Sequence, residues 1–250
     1  MELSTRGLVI REVTYKEADK ILTILTEDAG KLTVSAHGAR RKQSKYTAAS
    51  QLLAFSELDL YRRNGRWSLR EGRALELFDG LRHDIYLLSI GAYFAELLEA
   101  ASDEDYADPA LLRLGLIGLH ILGNTKRNAA VIKAAFEFRL MCQAGYAPET
   151  GACPMCALPT PVEPMLALHD GHIHCKSCPP EGYGTSVPLD SGSLSALRHI
   201  VAAEEGKVFA FTLGDSGTAH LREAAEAYVL AQLERSFRTL DFLKKFRNDD

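Results

Sequence analysis

Four of the five cysteines in this chain form two close pairs, "CPMC" at 153–156 and "CKSC" at 175–178. Each pair is C-x2-C, and 18 residues separate them. A C-x2-C turn aims two thiolates at one point, and two such turns complete a tetrahedron around zinc at Zn–S distances near ~2.3 Å. Cys153, Cys156, Cys175 and Cys178 are therefore the expected ligands of one structural Zn2+. Four thiolates close the coordination sphere and leave no position for water, so the metal is expected to fold the segment and not to catalyse. Two disulfides are the alternative. The opening "MELSTRGLVIREVTYKEADK" lacks a basic region followed by a long apolar core, and without a secretory signal disulfides are disfavoured. His169, His172 and His174 are rival ligands, His174 being adjacent to Cys175. Cys142 lies in an apolar helical run and reads as a buried thiol.

A second chemistry is carried by charge. "GARRKQSKY" (38–46) holds Arg40, Arg41, Lys42 and Lys45, has no acidic residue, and ends on Tyr46. Arg62, Arg63 and Arg66 form another cluster around Asn64-Gly65. The chain has a net charge of −4, yet residues 1–82 carry 15 Lys/Arg against 11 Asp/Glu, a net of +4. A basic N-terminal part joined to an acidic remainder points to a polyanion-binding face on the first part. A solvated loop is the plain alternative.

The elements that must position these residues change period along the chain. "GLVIREVTY" (7–15), "KILTILTE" (20–27), "GKLTVSAH" (30–37), "LLAFSELDLYRR" (52–63) and "RWSLREGRALEL" (66–77) read as strands with short connections. The third alternates Leu32, Val34 and Ala36 with Lys31, Thr33 and Ser35. The last two are joined at Asn64-Gly65, a strong hairpin signal. A small closed antiparallel barrel fits, and an OB-fold suits five such strands; other small barrels stay open. Helical spacing then appears in 84–101, 109–123 (with Pro109 at a first helical position) and 128–145 (with Asn128 as a cap). Residues 146–190 abandon periodicity, and "MLALHDGHIHC" (165–175) reads as a hairpin that turns at Asp170-Gly171. Helices are expected again at 193–204 and, as one long element, at 220–246. The fold class is α+β in several parts: an OB-fold barrel at 1–80, a helical domain at 81–148 and 191–250, and a zinc-binding insertion at 149–190.

Catalytic signatures are missing. Gly30-Lys31-Leu32 lacks the upstream glycine and the hydroxyl residue of a P-loop, and there is neither a G-x-G-x-x-G opening a helix nor a G-x-S-x-G elbow. No nucleotide cofactor is expected. No apolar run approaches the ~18–20 residues that cross a bilayer, so the expected location is the cytoplasm, without membrane contact. A binding or assembly factor fits better than an enzyme. A zinc-containing RNA-binding or translation-associated protein is an alternative, since OB-folds serve RNA as well.

Four features occur in one order: a strand-rich start, "GARR" after the third strand, "FEFRLMCQAGYAP" (136–148), and paired C-x2-C knuckles before a terminal helix ending "RTLDFLKKF" (238–246). Together they resemble the RecO family of bacterial recombination mediators, over essentially the whole chain. The resemblance implies an OB-fold, a helical domain and an embedded zinc ribbon. It also implies binding of single- and double-stranded DNA, annealing of complementary strands, partnership with RecR, and help in loading RecA onto DNA coated by single-strand-binding protein. The basic clusters and Tyr46 would then meet DNA. Lys126, Arg127, Lys133 and Arg139, beside Ile132 and Phe136, would form a mixed basic and apolar surface for an acidic, aromatic-ended peptide tail. Zinc knuckles are not found in every family member, so they say little about the shared activity.

Overall fold

The computed structural model describes residues 1–179 and 184–248; residues 180–183, within the expected zinc segment, lie outside the described residues. The chain divides into two compact units, Met1–Thr125 with Phe237–Asp250, and Lys126–Ser236. No helix among the described residues is long and apolar enough to cross a membrane.

The first unit is built on five strands, β1 (Glu2–Tyr15), β2 (Asp19–Thr26), β3 (Gly30–Ala36), β4 (Phe55–Arg63) and β5 (Arg66–Glu76). They close as β1-β2-β3-β5-β4, with β4 returning to β1. Every pairing is antiparallel except β3 with β5, the strand order of an OB-fold barrel. β1 starts at Glu2, earlier than the apolar run announces, because its first half pairs with β4 and its second with β2. An irregularity between Val9 and Arg11 lets the strand bend between the two partners. The alternation expected in β3 holds: Leu32, Val34 and Ala36 are buried and Thr33 is exposed. They meet Leu22, Ile24, Leu58, Leu60, Trp67 and Leu69 in one core. Asn64 and Gly65 both have positive φ, 50° and 77°, which the tight hairpin turn demands.

Helices α1 (Asp79–Arg82), α2 (Ile85–Ala101) and α3 (Pro109–Asn124) complete this unit with the C-terminal helix. Asp84 and Asp108 cap α2 and α3, and Pro109 opens α3 as its sequence predicts. Lys31 of β3 donates to the carbonyls of Glu99 and Ser102 at 2.8 and 2.6 Å, closing the C-terminal end of α2 onto the barrel. α1 and α3 touch at glycines: a Cβ on Gly80 would lie 2.1 Å from the Gly123 carbonyl oxygen.

The second unit packs α4 (Ala129–Gln143), α5 (Ser191–Ala202) and α6 (Asp215–Leu233) together, with Phe136, Leu140, Leu197, Leu221 and Tyr228 buried. Strands β6 (Pro164–Ala167), β7 (Ile173–Cys175) and β8 (Ser186–Pro188) form a small sheet in the order β7-β6-β8. The β6–β7 hairpin is the one expected at Asp170-Gly171; β8 is too short to show a period.

The single helix expected over 220–246 is two. α6 ends at Leu233, Glu234 takes the left-handed conformation at φ 48°, and α7 (Arg238–Asn248) begins afresh. Neither glycine nor proline marks the break. α7 belongs to the first unit, where Phe237 meets Tyr93 of α2 edge-on at 5.8 Å and Glu96 accepts the N–H groups of Arg238 and Thr239. The stripe that reads as continuous therefore serves two separate cores: Leu221, Ala225 and Tyr228 in one, Phe237 and Leu240 in the other.

Candidate metal centre and nucleic-acid interface

The β6–β7 hairpin sets Cys175 opposite Pro164 and so carries the second knuckle back to the first. Among the described residues, the Sγ atoms of Cys153, Cys156, Cys175 and Cys178 all lie within 4.8 Å of one another, and no histidine joins them. Cys156 and Cys175 sulfurs are 3.7 Å apart. Sulfurs bound to one zinc at ~2.3 Å stand about 3.8 Å apart, against ~2.0 Å in a disulfide. The spacing is that of a shared cation, and all four cysteines are free. His174 is committed elsewhere: Nδ1 is 2.8 Å from the Cys175 carbonyl and Nε2 is 2.9 Å from Ser186 Oγ.

The cluster's electrostatics ask for a cation. Burial raises the Cys153 thiol, yet the N–H groups of Cys175, Cys156 and Met155 more than offset this and bring it down to about 6. Cys175 is pushed up to about 11, first by burial and then by the neighbouring sulfurs, although Val162 donates to it at 3.3 Å. As thiolates the four closely spaced sulfurs repel one another. A divalent ion removes that conflict, and four soft sulfurs fit zinc.

The cationic segment follows β3. Gly38 is left-handed at φ 69°, and its N–H donates to Asp19 Oδ1 at 2.7 Å while His37 Nδ1 lies 3.1 Å from Oδ2. The Gly38 N–H, then His37, hold the Asp19 carboxyl below its ordinary range. Asp19 thus anchors the root of the loop to the start of β2. Arg40 lies over the β1–β2 turn, donating from its backbone to Ala18 O at 2.9 Å and from its guanidinium to Glu17 O at 3.0 Å. Arg41 and Lys42 are exposed. Lys45 is exposed and paired with Glu71 at 2.8 Å. His37, Arg41, Lys42 and Lys45 help line a concavity of about 550 Å³, and Ser44 Oγ beside them is buried with no hydrogen-bond partner among the described residues.

Arg62, Arg63 and Arg66 are exposed around the β4–β5 turn, as expected, with the Arg62 guanidinium 5.6 Å from the Trp67 ring centroid. β3 runs parallel to β5 with Val34 opposite Trp67 and Ser35 opposite Ser68. The loop therefore leaves one end of β3 while the arginine turn stands at the other, and the outer face of the strands lies between them. Tyr46 borders the same concavity as Arg41, Lys42 and Lys45 but is not open to solvent as they are. It is half-buried against the barrel core and its hydroxyl donates to His37 O, so it is a packing residue instead of an exposed stacking one.

Two family models cover the chain: Recombination protein O N terminal over residues 1–78, and Recombination protein O C terminal over residues 82–241. The chain belongs to the RecO family. It is 30% identical over 242 residues to the DNA repair protein RecO of Acetivibrio thermocellus, covering 97% of this chain and 96% of that protein. It is 29% identical over 249 residues to the protein of the same name in Symbiobacterium thermophilum, with 97% and 96% covered. The one in Desulforudis audaxviator is 30% identical over 248 residues, with 98% and 97% covered. A role in DNA repair and recombination follows from that membership.

The residues expected to face a partner part company in this RecO-family chain. Lys133 is buried at 4% exposure, with Nζ 2.7 Å from Glu137 and 3.1 Å from Glu226. Arg139 turns its guanidinium to the carbonyls of Ile200 and Val201, at 3.3 and 3.2 Å, and so closes the C-terminal end of α5. Phe136 is in the core. These two cations come from one helix, and both side chains turn into the packed helices instead of towards solvent. Lys126 and Arg127 are exposed. With Val131, Ile132, Phe209, Phe211 and Leu213 they line a groove of about 310 Å³, and Arg127 also donates to Phe209 O. The Phe209–Leu213 wall carries no period, so the sequence gives no sign of it.

Proposed function

We propose that this RecO-family chain is a non-enzymatic mediator that binds single- and double-stranded DNA and anneals complementary strands. With RecR it would help load RecA onto DNA coated by single-strand-binding protein, in the cytoplasm at the nucleoid. The observation that carries the reading is the pair of exposed cationic groups, Arg40–Lys42 and Arg62–Arg66, set at either end of β3 in an OB-fold barrel, whose second and third strands and flanking loops form the usual nucleic-acid surface. Residues 1–80 would hold the DNA, 149–190 the zinc, and 81–148 with 191–250 the helical partner surface. The metal would be one Zn2+ on Cys153, Cys156, Cys175 and Cys178, supplying a cross-link and no catalytic group.

Each phosphate neutralised on a single strand contributes about −0.7 to the log–log salt slope. If Arg40, Arg41 and Lys42 each meet one phosphate, replacing all three by Ala should flatten the slope by roughly 2, alike for unrelated sequences. Fluorescence anisotropy across a salt series measures this. A triple variant with the wild-type slope and affinity would return the segment to a solvated loop. A matched RNA strand that competes as well as DNA would favour the RNA-binding alternative. Strand annealing with and without bound single-strand-binding protein tests the mediator activity itself.

The partner reading passes from Lys133 and Arg139 to the groove at Lys126. Its apolar floor and cationic rim suit an acidic peptide ending in an aromatic residue. Lys126→Glu should weaken capture of single-strand-binding protein and leave binding to naked DNA unchanged. Equal loss of both would count against a separate partner site.

A further inference from the structure

With Tyr46 packed inward, the outer barrel face has no stacking residue from the set that the sequence nominates. The strand register supplies another. Directly paired residues share a face of the sheet. Val13 pairs with Ile21, Ile21 with Ser35, Ser35 with Ser68, and Ser68 with Tyr61, so these five side chains form one outward row across all five strands. Two residues along β1, Tyr15 pairs with Asp19, the residue that anchors Gly38 and the basic loop. Val13 and Tyr15 are 43% and 46% exposed, which is unusual for apolar side chains inside a strand. The middle of the row is small and polar, Ser35 and Ser68, with Ile21 next to the Tyr15 end and Tyr61 next to the arginine turn.

We propose that Tyr15 is the base-stacking residue of this chain, receiving one unpaired base of a DNA strand beside Val13; the inference rests on the DNA-binding reading above and deepens it. The loop and the β4–β5 turn attract any phosphate backbone, single or double. An exposed ring gains a partner only when a base is unstacked from its neighbours, so Tyr15 confers the preference for single strands that charge alone does not. Lys16 Nζ stands over one face of the Tyr15 ring, 5.3 Å from its centroid, so the base takes the opposite face or displaces the ammonium towards the neighbouring phosphate. Arg11, two strand positions before Val13, is paired with Glu99 at 3.1 Å and does not compete for that phosphate.

The test compares an ordinary single-stranded oligonucleotide with an abasic strand of equal length and charge, using wild type, Tyr15→Ala and Tyr15→Phe. Tyr15→Ala should bind the ordinary strand about 5- to 150-fold more weakly, the range for loss of one base–aromatic stack. It should bind the abasic strand as wild type does, keep the wild-type salt slope, and melt at the wild-type temperature, since the ring is exposed. Tyr15→Phe should behave as wild type. Wild-type affinity of Tyr15→Ala for the ordinary strand would overturn the inference, as would an equal loss on both strands. If wild type itself binds neither strand, the DNA reading falls and this inference with it. If the loop variant flattens the slope but Tyr15→Ala is silent, only the stacking assignment falls.

Discussion

Replacing Cys175 by serine is expected to release the metal and loosen the segment from about residue 150 to 179. Structural zinc contributes an apparent ~10–16 kcal/mol at neutral pH, because the four-sulfur site does not exist in the unfolded chain. Regular structure here is short, β7 having three residues and β6 four, and the other ties are Arg198 and Gln232 donating to loop carbonyls and the burial of Leu166 and Ile173. Cys175 ties the hairpin to the cluster. It closes the β6–β7 hairpin opposite Pro164, accepts from Val162 N–H, and lies 3.7 Å from the Cys156 sulfur. A serine oxygen is a harder and shorter donor than a thiolate, and among the described residues no histidine joins the sulfur cluster, both nitrogens of His174 being engaged. Elemental analysis should find one zinc per wild-type chain and close to none in the variant. Limited proteolysis should then cut within the segment. Short-oligonucleotide binding should persist, because all residues of the proposed DNA surface belong to the other unit. Absence of zinc from freshly purified wild type would sink the metal assignment.

The parts of this structure that were legible in the sequence are those fixed by short-range rules. The C-x2-C pairs, the Asn64-Gly65 turn, the alternation in β3, the cap at Asn128 and the helix start at Pro109 each constrain geometry over a few residues, and each stands where it was expected. What was not legible depends on tertiary partners. Tyr46 begins a segment after a basic loop, and only the closed barrel shows that the ring is taken by its core. Register sets both Tyr15 and Tyr61 on the outer face, and only the folded chain shows that Tyr15 is left exposed while Arg70 stands over the Tyr61 ring. Glu234 ends α6 without glycine, so no local signal separates the two halves of the terminal stripe. Lys133 sits among Ile132, Ala134 and Phe136, and charge at such a position reads as a surface even where the whole turn is buried.

That last residue carries the other large expected effect. Lys133 and Glu137 are one helical turn apart on α4, and Glu226 comes from α6, so the ammonium joins the two helices through a group 5% exposed. Burying three charges is costly, and hydrophobic replacement of a whole buried set can be neutral. Removing one member is different, because the remaining charges keep their desolvation cost and lose the compensation that the lysine supplies. Lys133→Met keeps most of the side-chain volume but leaves the Glu137 and Glu226 carboxylates facing each other without the lysine, and should destabilise the unit by about 3–5 kcal/mol. Over a unit of this size that is a fall of about 10–20 °C in melting temperature. Adding Glu137→Gln removes one of the two facing negative charges and should recover part of the loss, so the double-variant cycle should show strong coupling. The same reasoning decides how binding data are read: a charge reversal at Lys133 would abolish partner capture by unfolding the helices, and only a variant such as Lys126→Glu reports on the groove. A Lys133→Met chain that melts within about 1 °C of wild type would show that the ion group contributes nothing net and that α4 and α6 are held by their apolar contacts alone.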